Sequence, residues 1–322
     1  MTTRRQFLTL VGAALAQALP PRASAQTWPA KPIRAVIPFA AGSSIDVVGR
    51  IVLDRLSTQL GKPIVVENRG GAGGTIGTAV AAQADADGYT ILLQASAHSA
   101  APAVYPHIAY DPVHDFSAVV PFGTIPNVTV VSPAKGFKAL PEFVAAAKAG
   151  SFTYASAGVG SATHWAAERL RLSAGFQALH VPFKGGLDGL TEVMAGRVDF
   201  YCVGVSAALP FIREGKLTAL AVSTPKRSSA LPDVPTTIES GYPDSDYNFW
   251  MGILVPTGTP HDIVERLRDE TQKALAYQGV AEKLTPQGLE PMPLAPAAFD
   301  ALIRKEIDSN IALVKAAGLK FN

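Results

Sequence analysis

The chain has a single cysteine, Cys202, among 322 residues, so no internal disulfide braces the fold. Past the first 25 residues no stretch approaches ~18 consecutive apolar residues, which excludes a later membrane-spanning helix. The six histidines are scattered without the spacing of a metal site, so no metal and no cofactor is expected. There is no low-complexity tract and no short-period repeat. A charge of one sign is also missing once the start of the chain is considered. Residues 1–25 contain Arg4, Arg5 and Arg22 and no acid, and their removal leaves 25 basic against 26 acidic side chains, a net charge of −1. No basic field then remains to attract nucleic acid or anionic lipid.

The N-terminus explains why that removal is expected. Arg4-Arg5-Gln6-Phe7-Leu8 places paired arginines before an apolar run, residues 7–19, too short to span a bilayer and right for an export signal. Ala23-Ser24-Ala25 offers small residues for a signal peptidase, so cleavage before Gln26 and delivery to the periplasm are expected. The paired arginines are similar to a twin-arginine signal, with a Sec signal as the alternative.

About 300 mature residues suit two lobes better than one core. Strand-like and helix-like patterns alternate, which argues for α/β layers around mostly parallel sheets. Strands are expected over 33–39, 64–67, 89–93, 127–131, 152–154, 197–202 and 218–222. Helices are expected over 46–60, 75–84, 140–149, 163–173, 187–195, 207–214, 261–276 and 296–316. Thr259 reads as the cap of the helix that opens at Pro260-His261-Asp262. Two proline-rich crossings, 121–126 and 231–250, divide the chain: residues 26–122 and 248–322 form lobe 1, and residues 123–247 form lobe 2. Two crossings make a hinge, and a hinge between α/β lobes makes a cleft that closes.

Two loops repeat one physical idea. The first strand runs into Phe39-Ala40-Ala41-Gly42-Ser43-Ser44-Ile45-Asp46 and then a helix. In lobe 2, a strand runs into Ser156-Ala157-Gly158-Val159-Gly160-Ser161-Ala162-Thr163 and then a helix. Small residues let backbone N–H groups approach a ligand, and helix N-termini favour anions. Ligands of open α/β sheets bind at such strand ends. Plain capping is the competing reading, and Ser43-x-x-Asp46 has the form of a capping box. Ser96 and His98, past the third strand, are assigned to the cleft wall, with His98 and His164 as hydrogen-bonding groups rather than bases. Lys184 is a candidate to neutralise a carboxylate, or a solvated loop lysine.

The other motifs point away from nucleotide binding and hydrolysis. The glycine cluster 70–77 fails G-x-G-x-x-G because Ile76 stands at the last position, and no Walker lysine is present. It reads as a tight loop that could line the cleft. Gly204-Val205-Ser206-Ala207-Ala208 approaches a nucleophile elbow without its final glycine. Cys202 sits in an apolar strand pattern and reads as a buried, inert thiol.

The order of motifs resembles the Bug receptors, the substrate-binding proteins of the tripartite tricarboxylate transporter family. The resemblance rests on Lys31-Pro32-Ile33-Arg34, Pro38-Phe39-Ala40, Val65-Val66-Glu67-Asn68-Arg69, Asp87-Gly88-Tyr89-Thr90 and Tyr110-Asp111-Pro112. It continues through Tyr154-Ala155-Ser156-Ala157-Gly158, His180-Val181-Pro182-Phe183-Lys184-Gly185, Leu231-Pro232-Asp233-Val234-Pro235 and Pro256-x-Gly258-Thr259-Pro260. It implies a two-lobed α/β periplasmic binding protein of type II (Venus-flytrap) that encloses a small organic carboxylate and acts with membrane permease subunits. It further implies a monomer without catalytic activity. A sensor docking on a membrane signalling partner, or an enzyme on the same scaffold, are the alternatives.

Two departures bear on the ligand. Ala41-Gly42-Ser43-Ser44-Ile45 stands where many relatives have Pro-Gly-Gly-Ser-Thr. Cys202-Val203-Gly204 replaces a Phe-Asp-Asn run, which removes an acid able to pair with a ligand amine and leaves Val203 and Gly204 as candidate contacts. Titration calorimetry is therefore expected to show binding of keto, hydroxy, di- or aromatic carboxylates; tight binding of glutamate or aspartate alone would contradict this.

Overall fold

The computed structural model describes residues 28–183 and 186–317. The export signal and its cleavage site, and Lys184, lie outside the described residues. Among those described, no helix is long and apolar enough to cross a membrane.

The chain forms two five-stranded sheets of matching topology. The first contains β1 (Ile33–Ile37), β2 (Ile64–Asn68), β3 (Thr90–Ala95), β4 (Phe116–Thr124) and β10 (Trp250–Pro256), in the order β2-β1-β3-β10-β4. The second contains β5 (Asn127–Val131), β6 (Phe152–Ser156), β7 (Ala178–Pro182), β8 (Phe200–Gly204) and β9 (Thr218–Val222), in the order β7-β6-β8-β5-β9. In each sheet one strand opposes its neighbours: β10 pairs antiparallel with β3 and β4, and β5 pairs antiparallel with β8 and β9. Both are the first strand after a crossing, which accounts for their direction. A chain that leaves one sheet at its carboxyl end enters the next at the matching end and must run away from it. The remaining strands all point toward the gap between the sheets.

Helices cover both faces of each sheet, and the inner strands such as β1, β3, β8 and β10 are buried and mostly apolar on both sides as that layering demands. The first sheet packs α1 (Ser44–Leu60), α8 (His261–Ala276) and α9 (Gln278–Leu284) on one face, through Val48, Val52, Leu56, Leu267 and Val280. Its other face meets α2 (Thr75–Ala82) and α10 (Pro296–Ala317), through Ala81, Phe299, Ile303 and Ile307. The second sheet holds α4 (Leu140–Ala149) and α5 (Ala162–Ala174) on one face, and α6 (Gly186–Met194) and α7 (Val205–Arg213) on the other. Each wholly buried Leu, Ile, Val or Phe contributes about 1.5–3 kcal/mol, so these four layers carry most of the stability.

Only Ile125 and Pro126 separate β4 from β5, and residues 223–249 join β9 to β10. The crossings touch: the Ile125 N–H donates to the Phe249 carbonyl at 3.0 Å. Behind them, α3 (Ala97–Val104) belongs in chain order to the first sheet, yet Ala100 and Val104 pack with Trp165 and Leu170 of the second core. The Tyr105 hydroxyl donates to Val159 O at 3.2 Å, Arg169 donates to Asn310 Oδ1 at 3.3 Å, and the Tyr247 hydroxyl donates to Ser96 Oγ at 3.0 Å.

Several elements escape sequence patterning for identifiable reasons. β4 contains Pro121, which reads as a break, but β4 is an edge strand where a missing N–H is tolerated. α3 carries Pro102 within it. β7 is an edge strand with exposed positions, and β10, which starts at the last residue of the expected crossing, contains Gly252. Thr259 is not the cap of α8: Pro260 occupies that position and the Thr259 hydroxyl donates to Pro256 O at 2.7 Å.

The glycine cluster 70–77 packs behind the first small-residue loop and is absent from the cavity lining. A Cβ on Gly77 would stand 2.5 Å from Arg69 O and 2.8 Å from Pro38 Cα, both backbone atoms that cannot yield cheaply. Gly77→Ala is therefore expected to destabilise the protein by about 1–3 kcal/mol, read as a lowered urea midpoint at unchanged slope.

Candidate functional site

A cavity of about 350 Å³ opens where the strands of both sheets end. Lobe-one elements contribute Phe39, Gly42, Ser43, Ser44, Ile45, Val47, Ala95 and Ala97, and lobe-two elements contribute Ala157, Ser161, Ala162, Thr163, Gly186, Leu187, Tyr201, Val203, Gly204, Ser206 and Ala207. Phe249 from the second crossing and Gln287 from the return segment complete the lining. Among these described residues there is no Asp, Glu, Lys, Arg or His. The polarity comes from hydroxyls, one carboxamide and the first turns of α1, α3, α5, α6 and α7. Each N-terminus presents amides without intrahelical acceptors and the positive end of a helix dipole. Together they favour an anion that is not matched by a charged side chain.

The lobe-one loop is held by Asp46. Its carboxylate accepts from Gly42 N at 2.9 Å, Arg50 Nε at 2.9 Å and Asn68 Nδ2 at 2.9 Å. Asn68 also donates to Phe39 O at 3.0 Å, which ties β2 to the loop. Burial alone would raise the Asp46 pKa, but the hydrogen bonds from Arg50, Gly42 and Asn68 hold it below the usual carboxylate value. Asp46 is thus a scaffold residue turned away from the cavity, a correction to its expected ligand contact. The capping box of the competing reading does not form either. Ser43 occupies the N-cap of α1 but makes no side-chain cap bond, and its buried hydroxyl is left without a partner at the cavity wall.

The lobe-two loop is locked by side chains from behind. Ala157 N donates to Thr163 Oγ1 at 2.9 Å, Gly158 N to Ser156 Oγ at 3.0 Å, and Gly160 N to His164 Nδ1 at 3.1 Å. The amides expected to meet a ligand at residues 157, 158 and 160 are therefore already committed. Those left open lie one step on, at Ala162 and Thr163 in the first turn of α5, where no intrahelical acceptor exists. Gly158 and Gly160 have φ of 114° and 76°, backbone that glycine alone adopts without strain.

Behind this loop His164 and His180 stack with ring centroids 4.0 Å apart, and Tyr154 stacks on His180 at 4.8 Å. His180 Nε2 lies 2.6 Å from Ser156 Oγ. Burial lowers the pKa of His164 to about 3, with the neighbouring His180 adding to it, and that of His180 to about 4. Neutrality is what the geometry requires, because His164 Nδ1 must be unprotonated to accept from Gly160.

Of the residues expected from sequence, Phe39, Gly42, Ser43, Ser44, Ala157, Ser161, Thr163, Val203 and Gly204 meet in the one cavity. Ala40 and Ala41 are exposed and outside its lining. Ser156 is buried behind the loop, and Ser96 is buried beneath Tyr247. His98 is not on the cleft wall: it is fully buried beside Tyr110 and Phe116, 3.0 Å from Pro112 O, and its pKa is lowered to about 4 by burial. Cys202 is buried against Thr129, and its thiol is pushed up to about 12. Ser206 and Ala207 were legible as a third small-residue helix entry after a strand. Phe249 and Gln287 carry no such signal.

Comparison with known proteins agrees with this geometry. The sequence profile described as "Tripartite tricarboxylate transporter family receptor" matches residues 48–319. The chain belongs to this family. It is 34% identical to Protein BugT of Bordetella pertussis, across 98% of both chains. MatC from Rhodopseudomonas palustris, solved with bound malate, is 32% identical with a TM-score of 0.80, covering 89% of this chain and 100% of that one. An R. palustris protein solved with adipate is 29% identical with a TM-score of 0.84, covering 91% and 99%. The receptor accordingly has the two-lobed α/β fold of periplasmic binding proteins, and its family consists of solute-binding receptors.

The neutral imidazoles give the receptor a defined response to acid. A histidine whose pKa is lower folded than unfolded binds fewer protons when folded, so stability rises with pH across that interval. For His98, His164 and His180 the interval runs from about 6.5 down to about 4 or 3. The melting temperature is expected to fall as pH drops from 7 to 4.5, and less steeply in His180→Gln. Equal slopes for the two proteins would contradict a neutral stack.

Proposed function

We propose that this receptor is a periplasmic protein that encloses a small organic carboxylate between its lobes and passes it, unaltered, to the membrane subunits of a tripartite tricarboxylate-type transporter. The observation that carries this reading is the cavity itself, contributed by both sheets, free of charged side chains among the described residues and surrounded by helix N-termini. An anion is stabilised there by amides and dipoles, and the apolar walls of Phe39, Ile45, Val203 and Phe249 suit a short carbon skeleton. The relatives solved with malate and adipate hold ligands of the same chemical kind.

In this proposal lobe 1 comprises residues 26–122 and 248–322, lobe 2 comprises residues 123–247, and closure bends the paired crossings at Ile125 and Phe249. The ligand's carboxylate lies between Ser43-Ser44 of α1 and Ala162-Thr163 of α5, so each lobe supplies donors and closing completes the shell. The receptor works as a monomer, and the segment ending at Ala25 directs its export.

Protein purified from the periplasm, denatured and examined by mass spectrometry, is expected to release a small carboxylate. Ser161→Trp fills the space before α5 and is expected to abolish both that recovery and the heat of carboxylate binding. Unchanged binding by a folded Ser161→Trp protein would place the ligand elsewhere.

A further inference from the structure

Tyr201 projects from β8 beneath α6. Its residue is wholly buried, it lines the cavity, and its hydroxyl has no partner of hydrogen-bond geometry. Space for the ring is made by glycine: a Cβ on Gly189 would meet Tyr201 Cε1 at 3.0 Å, and one on Gly186 would meet the hydroxyl at 3.7 Å.

The Thr163 hydroxyl is close enough to act on the phenol, but it does not meet hydrogen-bond geometry with Tyr201 and its proton is already engaged. Ser161 Oγ donates to Gly158 O at 2.7 Å and accepts from His164 N at 3.3 Å. In the 3.0 Å contact between Ser161 and Thr163, Thr163 must then be the donor, because Ser161 has only one proton. Thr163 also accepts from Ala157 N. The chain of donors runs Ala157 to Thr163 to Ser161 to Gly158, and Tyr201 stands beside it with its own proton unassigned. Burial keeps the phenol protonated far above neutral pH. A buried O–H without an acceptor costs about 1–3 kcal/mol, a cost removed when an acceptor oxygen arrives.

We infer that Tyr201 reads the ligand: its phenol donates to the carboxylate oxygen held at the first turn of α5, as the lobe-two counterpart of the unpartnered Ser43 hydroxyl on lobe one. This inference rests on the carboxylate reading of the cavity and deepens it. A neutral phenol suits an anionic oxygen that no cation among the described residues accompanies, and it gives the site a directional donor where the amides alone would give only a diffuse positive potential.

The test is Tyr201→Phe, which deletes the hydroxyl and keeps the ring. The probes are malate, adipate, succinate and benzoate, read by calorimetry and by ligand-induced shifts in melting temperature. The ligand-free variant is expected to melt no lower than wild type. Its affinity for whichever probe wild type binds best is expected to fall about 5- to 50-fold. A lower ligand-free melting temperature with unchanged affinity would overturn the inference, because the hydroxyl would then serve the fold. If Ser161→Trp abolishes binding while Tyr201→Phe leaves it intact, the cavity reading survives and the role of Tyr201 does not. If wild type binds none of the four, the carboxylate reading and this inference fall together.

Discussion

The direction of the strands is the constraint on which the rest of the molecule depends. All strands except β5 and β10 run toward the gap between the sheets. A helix that follows such a strand starts where the strand ends, so its unpaired amides face the same gap. Five first turns gather there without any one of them being specialised for the purpose. The two reversed strands are the consequence of crossing twice, and the crossings are hydrogen-bonded to each other where Ile125 meets Phe249. Anion attraction is in this sense a property of the topology, and the side chains refine it.

A site built on dipoles needs loops that do not fluctuate, because the first turn loses its advantage once its amides wander. Both loops meet that need with groups placed behind them. Asp46 holds one through Gly42, Arg50 and Asn68, and Thr163, Ser156 and His164 hold the other through amides 157, 158 and 160. Spending those donors on rigidity leaves fewer for the ligand, but the ones left are fixed in direction. Such preorganisation lowers the ordering cost on binding.

Much of this arrangement was legible in sequence because its causes are local. Small residues between a strand and a helix mark a strand end and a first turn together, so Gly42 to Ser44 and Ser161 to Thr163 could be placed without a structure. What was not legible depends on contacts between distant segments. Gln287 reaches the cavity because the return segment folds back to it, and Phe249 because the second crossing pairs with the first at Ile125. His98 resembles a cleft residue in sequence, yet α3 turns its ring into the core toward Pro112. Asp46 looks like the end of a capping box, yet Arg50 and Asn68 draw its carboxylate away from Ser43.

That last displacement has a chemical consequence. In an ordinary capping box the Ser43 hydroxyl would accept from its own helix and be spent. Here Gly42 takes the place of Ser43 as the donor to Asp46, so Ser43 remains buried and unpartnered at the cavity edge. Tyr201 presents the same situation from the opposite lobe. Two buried polar atoms without partners therefore face one space, one from each sheet. In the proposed reading, an acceptor oxygen that enters that space relieves the cost of both at once, so the two hydroxyls favour the same ligand chemistry.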